Sequence, residues 1–392
     1  MGEKEAPHIG PDNGHLAPGS IVAGRYEIVG QVGGGSKCLV YRATDRAGQG
    51  LVALKVALRT RRDAGSSLRR EAEILQALSA TRCAPAVYRL HSLDSVGASG
   101  SLPADSLAME LLGENLWLAQ AHAGGKFSAP ASAHLATQML AALELVHSKG
   151  FIHCDVKPSN FAMGRTPDTM LKVRLIDFGL ARPHLDADGR PFQPGSKSGF
   201  VGTINYASKH ALQEKELARC DDLWSLTYTC LELVLGSLPW GHLCHRGISK
   251  ADAMRSVLDW KLALELAVNH GNPHGSAKLR TVAPFLDRVP RPLKLMLRAV
   301  AGLKYETKPD YRLIQEMLQR LDPDRLGKAA TDSELYGPEA GARRDRTKAS
   351  RESSDLAQTG APRRVDSSAS KRSLHDAEIN APKLKMGRMF RS

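Results

Sequence analysis

The stretch 151–160, FIHCDVKPSN, constrains this chain more than any other, because it sets Asp155, Lys157 and Asn160 at fixed spacing. An Asp177-Phe178-Gly179 triplet follows behind an apolar run. Two acids, an amine and an amide in this order match the needs of phosphoryl transfer. A carboxylate meets the attacking hydroxyl, and an amide oxygen and a second carboxylate hold magnesium. The amine neutralises charge that develops on the γ-phosphate. Any fold the chain adopts must therefore bring the two segments side by side. Cys154 stands between His153 and Asp155, where the H-R-D pattern has arginine.

Upstream, 31–40 reads QVGGGSKCLV and fits G-x-G-x-x-G-x-V, with Cys38 in place of the third glycine. Gly33, Gly34 and Gly35 let backbone N–H groups approach a triphosphate, with Val32 and Val40 beside them. A side chain at Cys38 predicts crowding, and a positive φ there would cost about 1–2 kcal/mol. Val52-Ala53-Leu54-Lys55 matches V-A-I-K, which places an amine on a strand to pair the α- and β-phosphates. Glu71 and Glu73 compete as its ion-pair partner. Leu68 and Leu75 share the inward face with Glu71 and favour it.

The first twenty residues are rich in Gly, Pro and His without periodicity and read as a disordered lead. Short β-like runs follow at 26–32, 39–43, 51–58, 86–91 and 106–111, with a helical pattern at 66–79 between them. Helical patterns then dominate: 131–148, 222–235, 249–266, 292–303 and 309–320. The segment 222–235 is apolar on nearly every side, which places it in the middle of a lobe. Beyond about Gly327 large apolar residues thin out, and 328–392 reads as a disordered, basic, Ser-rich tail.

A hydrophobic content of 42% supports sizeable cores. The formal net charge of +13 sits mostly on 21–327, which favours acidic or phosphorylated protein partners. Lys371-Arg372 and the cluster at 383–388 are candidates for nuclear import or for nucleic-acid contact. None of the six cysteines forms a C-x-x-C pair, and with no signal peptide ahead of them the expectation is a reduced, cytoplasmic protein without membrane attachment. Ser196 and Ser198 are candidate phosphorylation sites. The cluster at 240–245, WGHLCH, is weighed as a metal site and set aside for want of a fourth ligand.

Taken in order, these motifs resemble a protein kinase. The resemblance implies an α+β, bilobal fold. A small antiparallel-sheet N-lobe with one helix would cover 21–112, and a larger, mainly helical C-lobe would cover 113–327. The strings SNFAMGR (159–165), GTINYAS (202–208), DDLWSL (221–226), LPW (238–240) and KPDY (308–311) are similar to the casein kinase 1 superfamily, and most of all to its tau-tubulin kinase branch. That resemblance implies serine/threonine transfer from ATP with Mg²⁺, on protein substrates that include acidic or cytoskeletal ones such as tubulin. Asp155 would be the base, Lys157 the charge-balancing lysine, and Asn160 and Asp177 the metal ligands. Met109 would be the gatekeeper, Glu110 and Leu112 hinge positions, Thr203 a neighbour of the substrate hydroxyl, and Asp222 the brace of the loop. A monomer is expected. Val201 and Asn205 stand where relatives often carry arginines, which argues against a pocket for a phosphorylated substrate. The second reading is a scaffold that binds partners or nucleotide without catalysis, and it rests on Cys38 and Cys154.

Overall fold

Strand alternation builds the first layer. In the computed structural model β1 (Ile21–Val22), β2 (Tyr26–Gly34), β3 (Cys38–Asp45), β4 (Gly50–Ala57), β5 (Val87–His91) and β6 (Ser106–Glu110) form an antiparallel sheet ordered β1-β2-β3-β4-β6-β5. Successive side chains point to opposite faces. Leu39, Tyr41 and Ala43 of β3 and Val52, Leu54 and Val56 of β4 therefore share one core with Val22, Tyr26 and Ile28. Cys38, Ala53, Ala57, Leu107 and Met109 go to the other face, where α1 (Ala64–Ala77) supplies Leu68, Ala72 and Leu75.

The structure describes residues 15–48, 50–58, 63–92, 105–195, 199–244, 247–270 and 277–322. They lie in the first of two units, Met1–Gly337 and Pro338–Ser392. The basic tail from 328, its import-like clusters, Ser196, Ser198 and His245 lie outside the described residues. One expectation is corrected. Residues 15–20, assigned by composition to the disordered lead, are tied to the sheet: Leu16 N donates to Tyr41 Oη at 3.0 Å and Gly19 N to Ile28 O at 2.8 Å. β1 follows them, and two residues are too few for an alternating pattern to show.

The second lobe is built on α3 (Ala129–Ser148) and α5 (Arg219–Leu235), which pack against each other. Leu135, Met139, Leu143 and Val146 of α3 have no exposed surface. Ser128 caps the start of α3 by accepting from Ala131 N, and Gly150 at φ +82° follows its end. α5 is buried nearly all round, as its composition requires, and stops at the left-handed Gly236. Around this pair lie α2 (Leu116–His122), α4 (Lys209–Leu212), α6 (Lys250–His270), α7 (Ala277–Arg288), α8 (Arg291–Ala301) and α9 (Tyr311–Gln319). Among the described residues no helix is long and apolar enough to cross a membrane.

Two small ribbons position the chemistry. β7 (Phe151–Ile152) pairs with β10 (Arg182–Pro183), and β8 (Phe161–Met163) pairs with β9 (Val173–Leu175). Segment 153–160 runs from β7 to β8, and segment 176–181 from β9 to β10. The same two pairings therefore hold both polar segments side by side.

Candidate active site

Lys55 lies on β4 opposite Val40 of β3 and Leu107 of β6. Its ammonium donates to Glu71 at 2.8 and 2.6 Å and to Asp177 Oδ1 at 2.8 Å. Glu71 is on the buried face of α1 between Leu68 and Leu75, whereas Glu73 is exposed. Burial works against the Lys55 charge, but the Glu71 and Asp177 carboxylates outweigh it and raise its pKa. The same lysine holds Asp177 down to about 2. Asp177 has φ +64°, a left-handed conformation that costs a non-glycine residue energy and is typical of strained functional positions.

Asp155 forms the second cluster. Its Oδ1 accepts from Thr203 Oγ1 at 2.7 Å, and its Oδ2 from Lys157 Nζ at 2.7 Å. Lys157 also donates to Thr203 Oγ1 at 2.9 Å, which closes a triangle. Asn160 donates through Nδ2 to Asp155 O at 2.8 Å and to Asp155 Oδ2 at 3.2 Å, so its Oδ1 is the atom left to accept. Gly202, at φ +104°, lets the Thr203 segment approach: a Cβ there would lie 2.8 Å from Cys154 O.

Behind the loop, Asp222 at the start of α5 accepts from Cys154 N at 2.8 Å and from His153 N at 2.7 Å. His147 Nε2 donates to the same carboxylate at 2.9 Å. Burial opposes ionisation of Asp222, yet these donors prevail and its pKa is lowered. They hold Cys154 at φ +66°. Burial raises the Cys154 thiol pKa well above its ordinary value, which disfavours the thiolate. His153 is fully buried, edge-on to Phe178 at 5.0 Å, with its pKa lowered by burial. Its Nδ1 accepts from Asp155 N at 3.3 Å and its Nε2 donates to Ile176 O at 3.2 Å. It shapes the loop and joins it to the segment ahead of Asp177.

The roof of the cleft is apolar. Ala53 faces Met109 across β4 and β6, and Gly33 pairs with Val40 across β2 and β3. Val32 is exposed, and Gly34 and Gly35 complete the turn into β3. Glu110 closes β6, its side chain paired with Arg174, and Leu112 follows before Gly113 N bonds Met163 O at 2.8 Å. The positive φ weighed for Cys38 is absent. Cys38 begins β3 in register with Ala57, its φ is not positive, and its side chain is buried on the α1 side of the sheet.

A family profile for the protein kinase domain matches residues 26–333. This chain belongs to the protein kinase family. It is also 31% identical over 305 residues to a "probable serine/threonine-protein kinase" of Dictyostelium discoideum, covering 77% of this chain and 54% of that one. The chain thus spans about half the length of the curated relative it matches. The curled antiparallel sheet and helical second lobe are the bilobal architecture of a protein kinase.

Sequence reasoning about this kinase overlooked three side chains at the site. His147 and Tyr311 support Asp222 from behind, with Tyr311 Oη 2.6 Å from His147 Nδ1. Lys261 of α6 reaches the backbone just after Thr203. Its signal was present: Val257, Lys261, Leu264 and Val268 fall on one helical face, so a lysine occupies an apolar stripe.

Proposed function

We propose that this chain is an active serine/threonine protein kinase of the casein kinase 1 superfamily, most similar to the tau-tubulin kinase branch. The observation that carries the reading is the Lys55 ammonium held at once by Glu71 and Asp177. A scaffold that binds no nucleotide has no use for a buried cation aimed at a half-exposed carboxylate. Of the two residues that support that alternative, Cys38 is a strand residue without positive φ.

The residues fit the group they would hold. Asn160 Oδ1 and the Asp177 carboxylate are hard oxygen donors, few in number, which suits Mg²⁺ with phosphate oxygens completing its shell. Asn160 and Asp177 would hold the metal, which would supply neutralisation of the charge developing on the phosphates. Lys55 pairs the α- and β-phosphates, and the Val32, Gly33–Gly35, Val40, Ala53, Met109, Glu110 and Leu112 surroundings cover the nucleotide. Asp155 orients the serine or threonine hydroxyl and accepts its proton as the oxygen bonds the γ-phosphorus and the bond to ADP breaks. Lys157 balances the charge on the transferred group, and Thr203 keeps Asp155 and Lys157 in register.

The basic balance of the chain supports acidic protein substrates, with tubulin or microtubule-associated proteins as the cytoskeletal candidates. We take the protein to act as a cytoplasmic monomer, with access to the nucleus through its basic tail. Phosphate transfer from Mg-ATP to casein and to tubulin, with Asp177→Ala as control, tests the reading. Transfer that survives in the variant, or none in the natural chain, contradicts it.

A further inference from the structure

We propose that Lys261 is a positioning residue that fixes the substrate-facing segment Ile204–Ala207 by holding its backbone carbonyls. The inference rests on the kinase reading above. Lys261 is 1% exposed, and its ammonium donates to Ile204 O at 3.1 Å, Asn205 O at 2.9 Å and Ala207 O at 2.5 Å. Three donors meet three acceptors, so the group is filled. The Tyr228 and Trp240 ring centroids lie 4.4 and 5.1 Å from Nζ. Trp240 Nε1 donates to Asn205 O as well, at 2.9 Å.

Burying an ammonium is unfavourable, and burial pushes the Lys261 pKa well below the usual lysine value. An apolar residue would serve packing alone at less cost. The lysine instead satisfies carbonyls of a non-repetitive segment, whose Tyr206 and Ala207 amides turn back to Thr203 O at 2.9 and 2.8 Å. That segment begins one residue after Thr203, which touches Asp155 and Lys157. A protein chain with its hydroxyl at Asp155 lies beside Thr203, and we place its next residues along 204–207. One turn further on α6, Glu265 holds Lys209 at 2.6 and 2.7 Å. α6 thus grips both ends of the segment in which Ala207-Ser208-Lys209 replaces A-P-E. Among the described residues, the hydrogen bonds of Lys261 and Glu265 go to this segment and not to the nucleotide side of the cleft.

The test uses the full chain with Lys261→Met, and Trp240→Phe as a milder variant that keeps ring bulk. Two readouts are taken: KM for casein and for ATP separately, and amide exchange of a fragment spanning 203–207. Lys261→Met is expected to raise the casein KM by about tenfold or more while leaving the ATP KM unchanged. Exchange protection at Tyr206 and Ala207 is lost, and Trp240→Phe moves both readouts the same way by less. Should Lys261→Met fail to fold, Trp240→Phe alone decides. Should the natural chain transfer no phosphate, the kinase reading fails and exchange still decides whether Lys261 fixes the segment. Unchanged protection, or a casein KM that does not move, overturns the inference.

Discussion

Tyr311 Oη lies 2.6 Å from His147 Nδ1, joining the first residue of α9 to the end of α3 deep inside the larger lobe. A carboxylate only accepts, so His147 must donate through Nε2 to Asp222, and its Nδ1 takes the tyrosine proton. Asp222 then holds the His153 and Cys154 amides. A chain of hydrogen bonds therefore runs from α9 to the backbone beside Asp155. Tyr311→Phe is expected to lower stability by about 1 kcal/mol. It should also reduce kcat more than it raises the KM for ATP, because the loop loses a support rather than a phosphate contact. Urea denaturation and steady-state rates check this, and a variant indistinguishable from the natural chain in both contradicts it.

Gly202→Ala should damage both fold and rate. The backbone there is left-handed, and the added methyl would meet Cys154 O. The strain is worth about 1–2 kcal/mol, and a displaced Thr203 should lower kcat by roughly a hundredfold. Gly30→Ala is the control, since a Cβ there meets nothing within 4 Å. Equal behaviour of the two variants would show that the close approach is unimportant.

Cys38→Gly restores the common motif and is expected not to tighten nucleotide binding. Cys38 is buried in a strand without positive φ, so glycine removes packing and adds chain entropy. A loss of about 1–2 kcal/mol of stability follows. Titration with Mg-ADP and a denaturation curve measure both effects. Clearly tighter binding in the variant would mean that the side chain does crowd the loop.

Stability should fall in mild acid. His184 is 2% exposed and edge-on to Tyr305 at 5.5 Å, and burial, with the Arg219 guanidinium, lowers its pKa from 6.5 to about 4. Below 6.5 the unfolded chain takes up a proton that the folded chain refuses. The contribution of His184 is complete above that pH, is lost as pH falls toward 4, and levels off below. Over the window it amounts to at most about 3 kcal/mol. His184→Phe keeps the ring contact and should narrow the difference between denaturation midpoints at pH 7 and pH 5. An unchanged difference would assign the acid sensitivity elsewhere, with His153 the next candidate.

The candidate site residues were legible because the chemistry they are proposed to carry dictates their types and spacing. Asp155, Lys157, Asn160 and Asp177 are read from two short segments, and helical periodicity alone picks Glu71 over Glu73. The long helices were legible for the same reason, as 131–148 and 222–235 carry enough turns for a pattern. α2 has seven residues and α7 contains Pro284, so neither carries a clean periodic signal. Support from a distance was the least legible. His147, Tyr311 and Lys261 act through hydrogen bonds between residues 54 to 164 positions apart, which local pattern does not encode. At Cys38 a motif position was read as a backbone requirement, whereas the residue lies in β3 without positive φ.

The most direct measurement is transfer of labelled γ-phosphate from Mg-ATP to casein by the natural chain and by Asp155→Asn, at equal stability and nucleotide affinity. Loss of the base should reduce turnover by about 10²–10⁴-fold while Mg-ATP still binds. Label should appear on serine and threonine and disappear when the metal is chelated. Intact nucleotide binding with no transfer by the natural chain, or equal transfer by both proteins, would contradict the account.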